Sequence, residues 1–485
     1  MSEKILKKIK ENKIVIGIFA LGIFLLFFQV SSRGLWMDEN AVFWYLSMNP
    51  WQFVVNYWHI PDNHPPLFYL LVVSLYKLLP LKVLGVRLVS IFSGIGLLVL
   101  SYRFSWLLFK DKLSARLAML SVVLSSYFVL ISQMARYHAL AALLTLLSLY
   151  YFTCLSFQNN NKKKNLLLFV VFAVLTSYTD LPHFVYLILV TNVFYFYKIL
   201  RKETILKFKS WFISQLILVV SFLLIIWMFY LRIFEQGDKG FGLSSLLGKN
   251  IIQYAACFLM HFYAFFFGEN ILPWNFLIFF SGLFAACITA FYLIRNLFKA
   301  IKDQSLNLLV YYFLAFVILN TVFLNFADPR YNFIVYPKYV FAAFPLFVIL
   351  LSRVIILIDK VWLRNVALVI FVGISLFGLF NFYSRGNYIN ASYFNDFSNY
   401  VFVRDNSQMG DGVVINGDLN GGTYKFFKGD YFYNLIPVDL DPLSSSSAKF
   451  SRVWFFSTGS DDGNINNEPD SKIPAGFKIY YLANY

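Results

Sequence analysis

Charged side chains are scarce in this sequence. They make up 14% of its 485 residues, whereas an ordinary soluble domain carries about 25%. Hydrophobic residues make up 59% and aromatic residues 20%, so the apolar surface exceeds what a water-covered protein could enclose in a core. The composition therefore indicates an integral membrane protein, with aromatic side chains suited to lipid-facing helices and to the membrane interfaces.

Cysteine is also rare. The three cysteines, Cys154, Cys257 and Cys287, lie in apolar stretches and no Cys-x-x-Cys pair occurs, so neither a disulfide framework nor a zinc site is indicated. The sequence has no glycine-rich phosphate loop and no internal repeat. The first apolar run, 14–30, lacks a small-x-small cleavage site before Arg33, and it is therefore predicted to remain as an anchor rather than a cleaved signal peptide.

Long apolar runs are what the sequence has instead. A helix needs about 17–25 apolar residues to cross the hydrocarbon layer, and most of the runs reach that length. The eleven predicted crossings are 14–30, 83–109, 117–133, 139–157, 166–180, 184–197, 211–230, 274–294, 307–325, 339–358 and 364–382. Two further apolar stretches, 65–80 and 251–267, are predicted to be helices that lie in the outer interface or dip into the membrane from that side.

Positive charge is unevenly distributed along the chain. The net charge is +16, but residues 386–485 carry seven Lys/Arg and eleven Asp/Glu, a formal charge of −4 that leaves +20 on the first 385 residues. The positive residues form short clusters between apolar runs, which indicates the cytoplasmic side of a membrane protein rather than nucleic-acid binding. With the N-terminus inside, eleven crossings place every basic cluster inside and the C-terminus outside.

The last hundred residues are polar and rich in Gly, Asn, Ser and Asp. They contain strand-like runs at 412–415, 431–433 and 453–456 and a short helical stretch at 399–405. The predicted fold class is therefore a polytopic all-α membrane protein with about eleven crossings and interfacial helices, followed by a small external α/β domain. The predicted domains are a transmembrane domain, 1–385, and an extracytoplasmic domain, 386–485.

An acidic pair, Asp38-Glu39, follows the first predicted anchor. A solvated interfacial loop is the plain interpretation of such a pair, because exposed carboxylates are common. Here the neighbours include Leu35, Trp36 and Phe43, and a partly desolvated carboxylate is a better base. The pair is therefore the candidate catalytic site.

Two further positions stand out in the first hundred residues. His64 precedes Pro65-Pro66, and two prolines prevent a helix from continuing through them. His64 therefore lies either at a rigid helix start or in a plain interfacial turn. Arg87 lies four residues into an apolar run. An arginine there either faces a partner or a ligand, or extends back to the surface along its aliphatic stem.

More cations occur near the outer ends of later predicted crossings. Arg136 and Tyr137 lie between two apolar runs, and Lys338 opens another run shortly after Arg330. Together with Arg87, these basic side chains are predicted to gather near one outer plane. A phosphate group at a membrane interface would be held by such a set.

Taken in order, these motifs resemble a known family. An acidic pair after the first anchor, His-Pro-Pro-Leu at 64–67, an Arg-x-x-Ser helix at 87–90 and Ala-Arg-Tyr-x-Ala-Leu at 135–140 are similar to the GT-C superfamily of membrane glycosyltransferases. Within it, the sequence resembles the branch of protein O-mannosyltransferases and the lipid A aminoarabinose transferase, and their bacterial family 39 relatives. The resemblance covers residues 1–160 and returns at 336–351; the last hundred residues share only the presence of an external domain.

The resemblance implies a glycosyltransferase that moves a hexose or pentose from a polyprenyl-phosphate donor to a hydroxyl group, with inversion. The implied acceptor is an envelope lipid, glycan or protein, and the implied location is the outer face of a bacterial cytoplasmic membrane. Membrane lipids are expected partners and nucleic acid is not.

The resemblance also implies roles for individual residues. Asp38 is the expected general base, and Glu39 the residue that positions acceptor or base. The donor phosphate is expected to bind Arg87, Arg136 and Lys338. His64, Tyr137 and Arg330 are expected to shape the pocket.

The sequence departs from the family pattern at three places. Gln133 stands where relatives often carry an acid, Lys338 where they often carry Arg, and Asp180-Leu181-Pro182-His183 where many have Tyr-Thr-His. Lysine cannot make a bidentate fork to phosphate. No metal site is predicted; a divalent metal stays open, although Asp180 and His183 alone are too few ligands and a capping or interfacial role is favoured.

Two other classes of protein remain as alternatives. A transporter or flippase for lipid-linked glycans would place charges near the membrane midplane and show repeated halves, and neither feature is present in the sequence. A polysaccharide polymerase or ligase of another fold would also use external arginines, but it would not need the early acidic pair.

Overall fold

The structure is a computed structural model of the whole chain. The residues that it describes are 3–35, 37–57, 64–157, 161–203, 206–235, 250–299, 304–327, 336–384, 398–415, 426–430, 433–438, 452–458 and 478–484.

Most of the described chain is helical. The α-helices are α1 Glu3–Phe27, α2 Phe43–Leu46, α3 Pro50–Tyr57, α4 Leu67–Leu78, α5 Lys82–Phe109, α6 Lys112–Leu124, α7 Ser126–Gln133, α8 His138–Phe157, α9 Lys162–Ser177, α10 Leu181–Leu200, α11 Phe208–Glu235, α12 Ile251–Phe267, α13 Phe276–Lys299, α14 Gln304–Ala327, α15 Ala343–Ile356, α16 Val361–Tyr383 and α17 Ser398–Asn406. Two 3-10 helices, Met37–Val42 and Tyr336–Val340, precede α2 and α15.

The helices confirm a polytopic all-α membrane protein. Among the described residues, seven helices are long and apolar enough to cross a membrane, namely α5, α8, α10, α11, α13, α14 and α16, and the bent pair α6–α7 makes an eighth. The other three predicted crossings coincide with α1, whose apolar part is Asn12–Phe27, and with α9 and α15, which have 16 and 14 residues. The two stretches predicted not to cross form α4 and α12, which are also short, with 12 and 17 residues.

A pair of serines explains why the third predicted crossing is bent. The sequence from Lys112 to Gln133 reads as one apolar run, but α6 ends before Ser125 and α7 begins after it, at an angle of 62°. The Ser125 hydroxyl accepts a hydrogen bond from the backbone N–H of Phe128 at 3.2 Å, which caps the new helix and competes with continuation of the old one.

Ion pairs connect the loops at one end of the helices. Arg295 near the end of α13 pairs with Asp359 before α16 at 2.6 Å, and Arg353 on α15 lies 3.9 Å from Asp111 before α6. Three of the basic clusters, 110–116, 295–302 and 353–364, are thus joined at this end. At the opposite end of α1 and α16, the rings of Phe28 and Tyr383 are 5.1 Å apart.

The turn after α12 is held by a buried network of polar groups. The Asn270 amide donates to the Gly378 carbonyl at 2.6 Å, and the Asn381 amide donates to the Asn270 carbonyl at 2.9 Å. The Ser126 hydroxyl donates to the Asn270 side-chain oxygen at 3.2 Å. Buried polar groups need such partners, and these three bonds fix the turn between α7 and α16.

The chain divides into two compact units. The first consists of Met1–Phe28, Gln52–Leu71 and Arg87–Asn390, and the second of Gln29–Trp51, Val72–Val86 and Ala391–Tyr485. The predicted domains, 1–385 and 386–485, stay a prediction, because the second unit combines the C-terminal residues with two earlier segments.

The second unit contains the small sheet that was predicted near the C-terminus. Its four parallel strands have the order β2-β1-β3-β4, with β1 Asp411–Ile415, β2 Leu435–Val438, β3 Arg452–Thr458 and β4 Lys478–Asn484. Strands β1 and β3 and the helix α17 were predicted, whereas β2 and β4 were not. In the run predicted at 431–433, Tyr433 lies in a turn and Tyr431 and Phe432 lie outside the described residues.

Side chains join the segments within this second unit. Trp454 on β3 is fully buried, and its indole N–H donates to the Asp411 carboxylate on β1 at 2.9 Å. Lys82 pairs with Asp430 at 2.5 Å, and the rings of Phe43 and Phe426 stack at 4.4 Å. Charge and aromatic contacts therefore connect residues that are far apart in the sequence.

Gly268 supplies a test of the turn after α12. Its φ is +71°, and an added Cβ would overlap the Ser126 hydroxyl. We expect Gly268→Ala to lower the free energy of unfolding by about 1–3 kcal/mol, because a side chain is strained in the left-handed region. The measurement is thermal or denaturant unfolding of the purified protein in detergent.

The matched control is Gly373→Ala in α16, where an added Cβ meets no atom within 4 Å. Alanine stabilises a helix interior by roughly 0.5–1 kcal/mol relative to glycine, so this variant should be neutral or more stable. Equal loss of stability in both variants would contradict the proposed role of the turn.

Candidate functional site

Arg136 is the centre of the polar cluster in the first unit. It lies in the non-helical turn between α7 and α8 and is only 6% exposed. Its two terminal nitrogens reach the Tyr69 hydroxyl at 3.1 Å and the Nε2 atom of His64 at 3.1 Å. The Ser90 hydroxyl on α5 donates to the Arg136 carbonyl at 3.0 Å, so the turn is fixed through both its side chain and its backbone.

The contact with Arg136 defines the protonation state of the His64 ring. A guanidinium group has donors and no acceptor, so Nε2 of His64 accepts and the ring proton is on Nδ1. His64 is therefore neutral in this arrangement. The Tyr57 hydroxyl also donates to the His64 carbonyl, which fixes the residue just before the Pro65-Pro66 turn.

Tyr137 lies against this pair. Its ring centroid is 4.5 Å from that of His64, and its side chain is 2% exposed. Burial raises the pKa of the Tyr137 hydroxyl well above its usual value, and the nearby Asp180 raises it further, while Arg136 acts in the opposite direction. The hydroxyl therefore remains protonated and is a hydrogen-bond donor over the physiological pH range.

Lys338 reaches the same region from the other half of the sequence. It lies on the 3-10 helix before α15, is 3% exposed, and its ammonium group is 5.0 Å from the centroid of the Tyr339 ring. The Tyr127 hydroxyl on α7 donates to the carbonyl of Pro337. That bond positions the 3-10 helix and so the Lys338 side chain.

His138 shows that these groups are neighbours. Lys338, Arg136, His64 and His183 all lie within electrostatic range of its ring. The centroid of its ring lies 4.3 Å from that of Tyr137, with the two rings tilted, and 5.2 Å from that of Tyr339, edge to face. Within the described part of the chain, neither ring nitrogen of this buried histidine has a hydrogen-bond partner.

Asp180 and His183 form a separate buried pair beside the cluster. The Asp180 carboxylate caps α10 by accepting from the backbone N–H of His183 at 3.4 Å, and it also contacts Nδ1 of the same residue. Pro182 occupies the first turn of the helix, where its missing N–H costs nothing. The capping role favoured from the sequence is what the geometry shows.

Gln133, one of the departures from the family pattern, also has a structural partner. Its side-chain amide donates to the carbonyls of Leu26 at 3.0 Å and Phe28 at 3.2 Å, at the end of α1. Last-turn carbonyls lack partners within their own helix. An amide can satisfy them and an ionised carboxylate cannot, since a carboxylate only accepts.

The remaining predicted residues are distributed as follows. Arg87 on α5 is 4% exposed, so its guanidinium lies inside the protein rather than extending to the surface. Asp38 and Glu39 lie on the 3-10 helix of the second unit, where Asp38 is half-buried and Glu39 is 2% exposed. Arg330 lies outside the described residues.

The structure thus brings His64, Arg136, Tyr137 and Lys338 into one cluster of the first unit. The catalytic, phosphate-binding and pocket roles themselves stay predictions.

Glu269 is a candidate that the sequence analysis missed. It lies in the turn after α12, is completely buried, and neither carboxylate oxygen has a hydrogen-bond partner among the described residues. Burial raises the pKa of its carboxyl group to about 8, although Lys338 acts to lower it. The sequence did contain one indication of Glu269, because it is the single carboxylate between Asp238 and Asp303 in a largely apolar stretch.

No set of metal ligands is evident in the described ranges. They contain no group of three or more His, Cys, Asp or Glu side chains that could hold an ion. Asp180 and His183, the pair considered from the sequence, bind each other through Nδ1.

Two crystal structures share this arrangement of helices. They are those of ArnT from Cupriavidus metallidurans, one bound to undecaprenyl phosphate and one in the apo state. The first has a TM-score of 0.54 at 12% sequence identity and covers 90% of this chain and 89% of that chain; the second has 0.52 at 13% identity, with 89% and 87% covered. No protein-family profile and no curated protein sequence matches the chain.

The class of protein defined at this point is a multi-pass helical membrane protein whose fold is similar to that of ArnT. Identity of 12–13% shows the fold alone, because one fold can carry different activities.

Substitution of Asp180 tests its capping role. We expect Asp180→Ala to destabilise the protein by about 1–2 kcal/mol, because it removes an N-cap and leaves Nδ1 of buried His183 without its partner. Asp180→Asn keeps an oxygen that can accept both bonds, so its loss should be clearly smaller. Thermal unfolding in detergent measures both, and equal losses would show that the charge of Asp180, rather than capping, matters.

Proposed function

We propose that this protein is an inverting glycosyltransferase that uses a polyprenyl-phosphate-linked sugar. The acceptor is a hydroxyl group of an envelope lipid, a glycan or a protein. The reaction takes place at the outer face of a bacterial cytoplasmic membrane.

The observation that carries this proposal is the buried cationic cluster. Arg136 and Lys338 are both buried in this cluster. Arg136 contacts a tyrosine hydroxyl and a histidine ring, and Lys338 lies beside an aromatic ring. Cations inside a membrane protein usually mark a ligand or an ion pathway. A phosphate group fits, and the similarly folded ArnT was crystallised with undecaprenyl phosphate.

The chemistry that these residues can perform follows from their charges. The donor's anomeric carbon forms a bond to the acceptor oxygen while its bond to the phosphate oxygen breaks. The phosphate leaves with its electron pair, and positive groups fixed in advance stabilise that charge. Arg87, Arg136 and Lys338 are the proposed phosphate ligands, and His64, Tyr137 and Arg330 are the proposed pocket residues.

A base must take the proton of the acceptor hydroxyl. We assign this role to Asp38, with Glu39 positioning the acceptor or the base. The half-buried Asp38 can exchange protons with solvent, whereas Glu39 is 2% exposed and suits a supporting role. The phosphate ester of the donor supplies the driving force, so the proposed reaction needs no nucleotide outside the cell.

The positions of the cations disfavour a transporter. Arg136 lies in a turn between two helices and Lys338 on a 3-10 helix that begins another. Transport sites are typically built near the midplane, between repeated halves.

The decisive experiment compares lipid and glycan mass profiles of a deletion strain, the wild type and a strain complemented with Asp38→Asn. The proposed function predicts one sugar-sized increment that is missing from both mutants. The size of that increment identifies the sugar, and its carrier identifies the acceptor. Identical profiles in all three strains would refute the proposal.

Purified Asp38→Asn should retain its fold while its kcat falls about 10²–10⁴-fold, the usual contribution of a general base. The measurement is sugar transfer in detergent, with thermal unfolding as the check on folding. Asp359→Asn is the control, since Asp359 is an exposed carboxylate paired with Arg295. Full activity of Asp38→Asn would refute the assignment of the base.

The topology can be tested separately. The joined basic clusters at one end of the helices support an inside position for that end, and eleven crossings then put the C-terminus outside. A tag fused after residue 485 should be labelled by an impermeant reagent in intact spheroplasts. Labelling only after lysis would overturn the proposed topology.

A further inference from the structure

Glu269 has no partner that explains its burial. Both of its oxygens are buried and lack hydrogen bonds within the described part of the chain. A buried polar group without a partner is costly, and an isolated buried charge is more costly still. A native protein keeps such a group where a ligand, an ion or a proton will satisfy it.

The turn that carries Glu269 is rigid, so the side chain cannot easily move away to solvent. Gly268 before it adopts a left-handed conformation that ends α12, with its N–H bonded to the Ala264 carbonyl at 2.9 Å. Asn270 after it is fixed by the bonds to Ser126, Gly378 and Asn381 described above. The hydrogen bonds of Gly268 and Asn270 therefore fix the backbone on both sides of Glu269, while its carboxyl group makes none of these bonds.

Two of the three titratable groups that face Glu269 are tyrosine hydroxyls already bonded elsewhere. Tyr127, Tyr263 and Lys338 are the titratable side chains that interact with it electrostatically. The Tyr127 hydroxyl already donates to the Pro337 carbonyl, and the Tyr263 hydroxyl to the Ile271 carbonyl. Lys338 is thus the nearby cation, and it is also a proposed phosphate ligand.

An ionised Glu269 would interfere with phosphate binding in two ways. It would neutralise Lys338, and it would repel the phosphate itself at close range in a low dielectric. A protonated Glu269 would do neither, because its O–H could donate to a phosphate oxygen in a charge-assisted hydrogen bond. Phosphate at Lys338 and charge on Glu269 are therefore mutually exclusive.

We propose that Glu269 is a further donor-binding residue, which binds the lipid phosphate at Lys338 only in its protonated form and donates a hydrogen bond to it. This inference rests on the proposed function. Burial raises the pKa of Glu269 to about 8, so most molecules carry the proton at neutral pH and are competent to bind. Above that pKa the competent fraction falls.

The test is the affinity for a polyprenyl monophosphate at pH 7 and pH 9, measured with the full chain in detergent. A phosphomonoester is about nine-tenths doubly ionised at pH 7 and almost wholly so at pH 9, since its second pKa is about 6. Its own ionisation therefore does not weaken binding at pH 9. Because apparent affinity scales with the competent fraction, the wild type should bind about tenfold more weakly at pH 9. Glu269→Gln, which stays neutral and can donate, should show no such loss.

Two controls separate this effect from general pH sensitivity. Glu203→Gln removes a carboxylate that pairs with Lys198, away from the cluster, and should keep the wild-type pH dependence. Lys338→Met should bind weakly at both pH values. Equal pH dependence in the wild type and Glu269→Gln would refute the role of Glu269 while leaving the proposed function intact. A wild type that binds the polyprenyl monophosphate at neither pH would refute both proposals.

Proton uptake gives an independent readout. Calorimetry in buffers of different ionisation enthalpy should show the wild type taking up about 0.9 proton on binding at pH 9 and about 0.1 at pH 7, by linkage. The Glu269→Gln variant should take up no proton on binding at pH 9. A structural role for Glu269 would not produce this uptake, so zero uptake by the wild type at pH 9 would overturn the inference.

Discussion

A charged side chain that leaves water must find compensation within the protein, and in the first unit this requirement falls on Arg136 and Lys338. Arg136 is held by His64 and Tyr69, and Lys338 lies beside an aromatic ring and the carboxyl group of Glu269. Two buried cations thus lie in one region of the unit. The proposed donor carries an anionic phosphate group that such cations would bind.

The backbone of this unit provides the cluster by interrupting its helices. Arg136 lies in the turn after α7, Lys338 on a 3-10 helix and Glu269 in the turn after α12. Buried backbone groups outside a helix need partners from elsewhere in the protein. Side chains do so here: Ser90 binds the Arg136 carbonyl, Tyr127 the Pro337 carbonyl and Asn381 the Asn270 carbonyl. The same bonds that permit the interruptions also position the charged residues.

The sequence predicted the fold class well because hydropathy and length are local properties. Each predicted crossing coincides with a helix or, for 117–133, with a bent pair, and the predicted non-crossing stretch 251–267 is α12 to the residue. The bend itself was missed, since a serine pair in an apolar run does not break a helix by composition alone. Strands β2 and β4 were missed because they are the edge strands of the sheet, and such a strand depends on pairing with its neighbour rather than on its own pattern.

By itself the sequence determined that this is a multi-pass membrane protein, which residues are charged within its apolar parts, and the motif order that resembles the GT-C superfamily. Only the tertiary structure decided which of those charges are neighbours. His64, Arg136 and Lys338 interact with His138 although they come from three distant parts of the chain: the segment before α4, the turn after α7 and the 3-10 helix before α15. Spacing along the chain does not encode that proximity. The proposed role of Glu269 arises in the same way. In the sequence it is one acid among apolar residues; burial favours its protonated form, and Lys338 beside it is the proposed phosphate ligand.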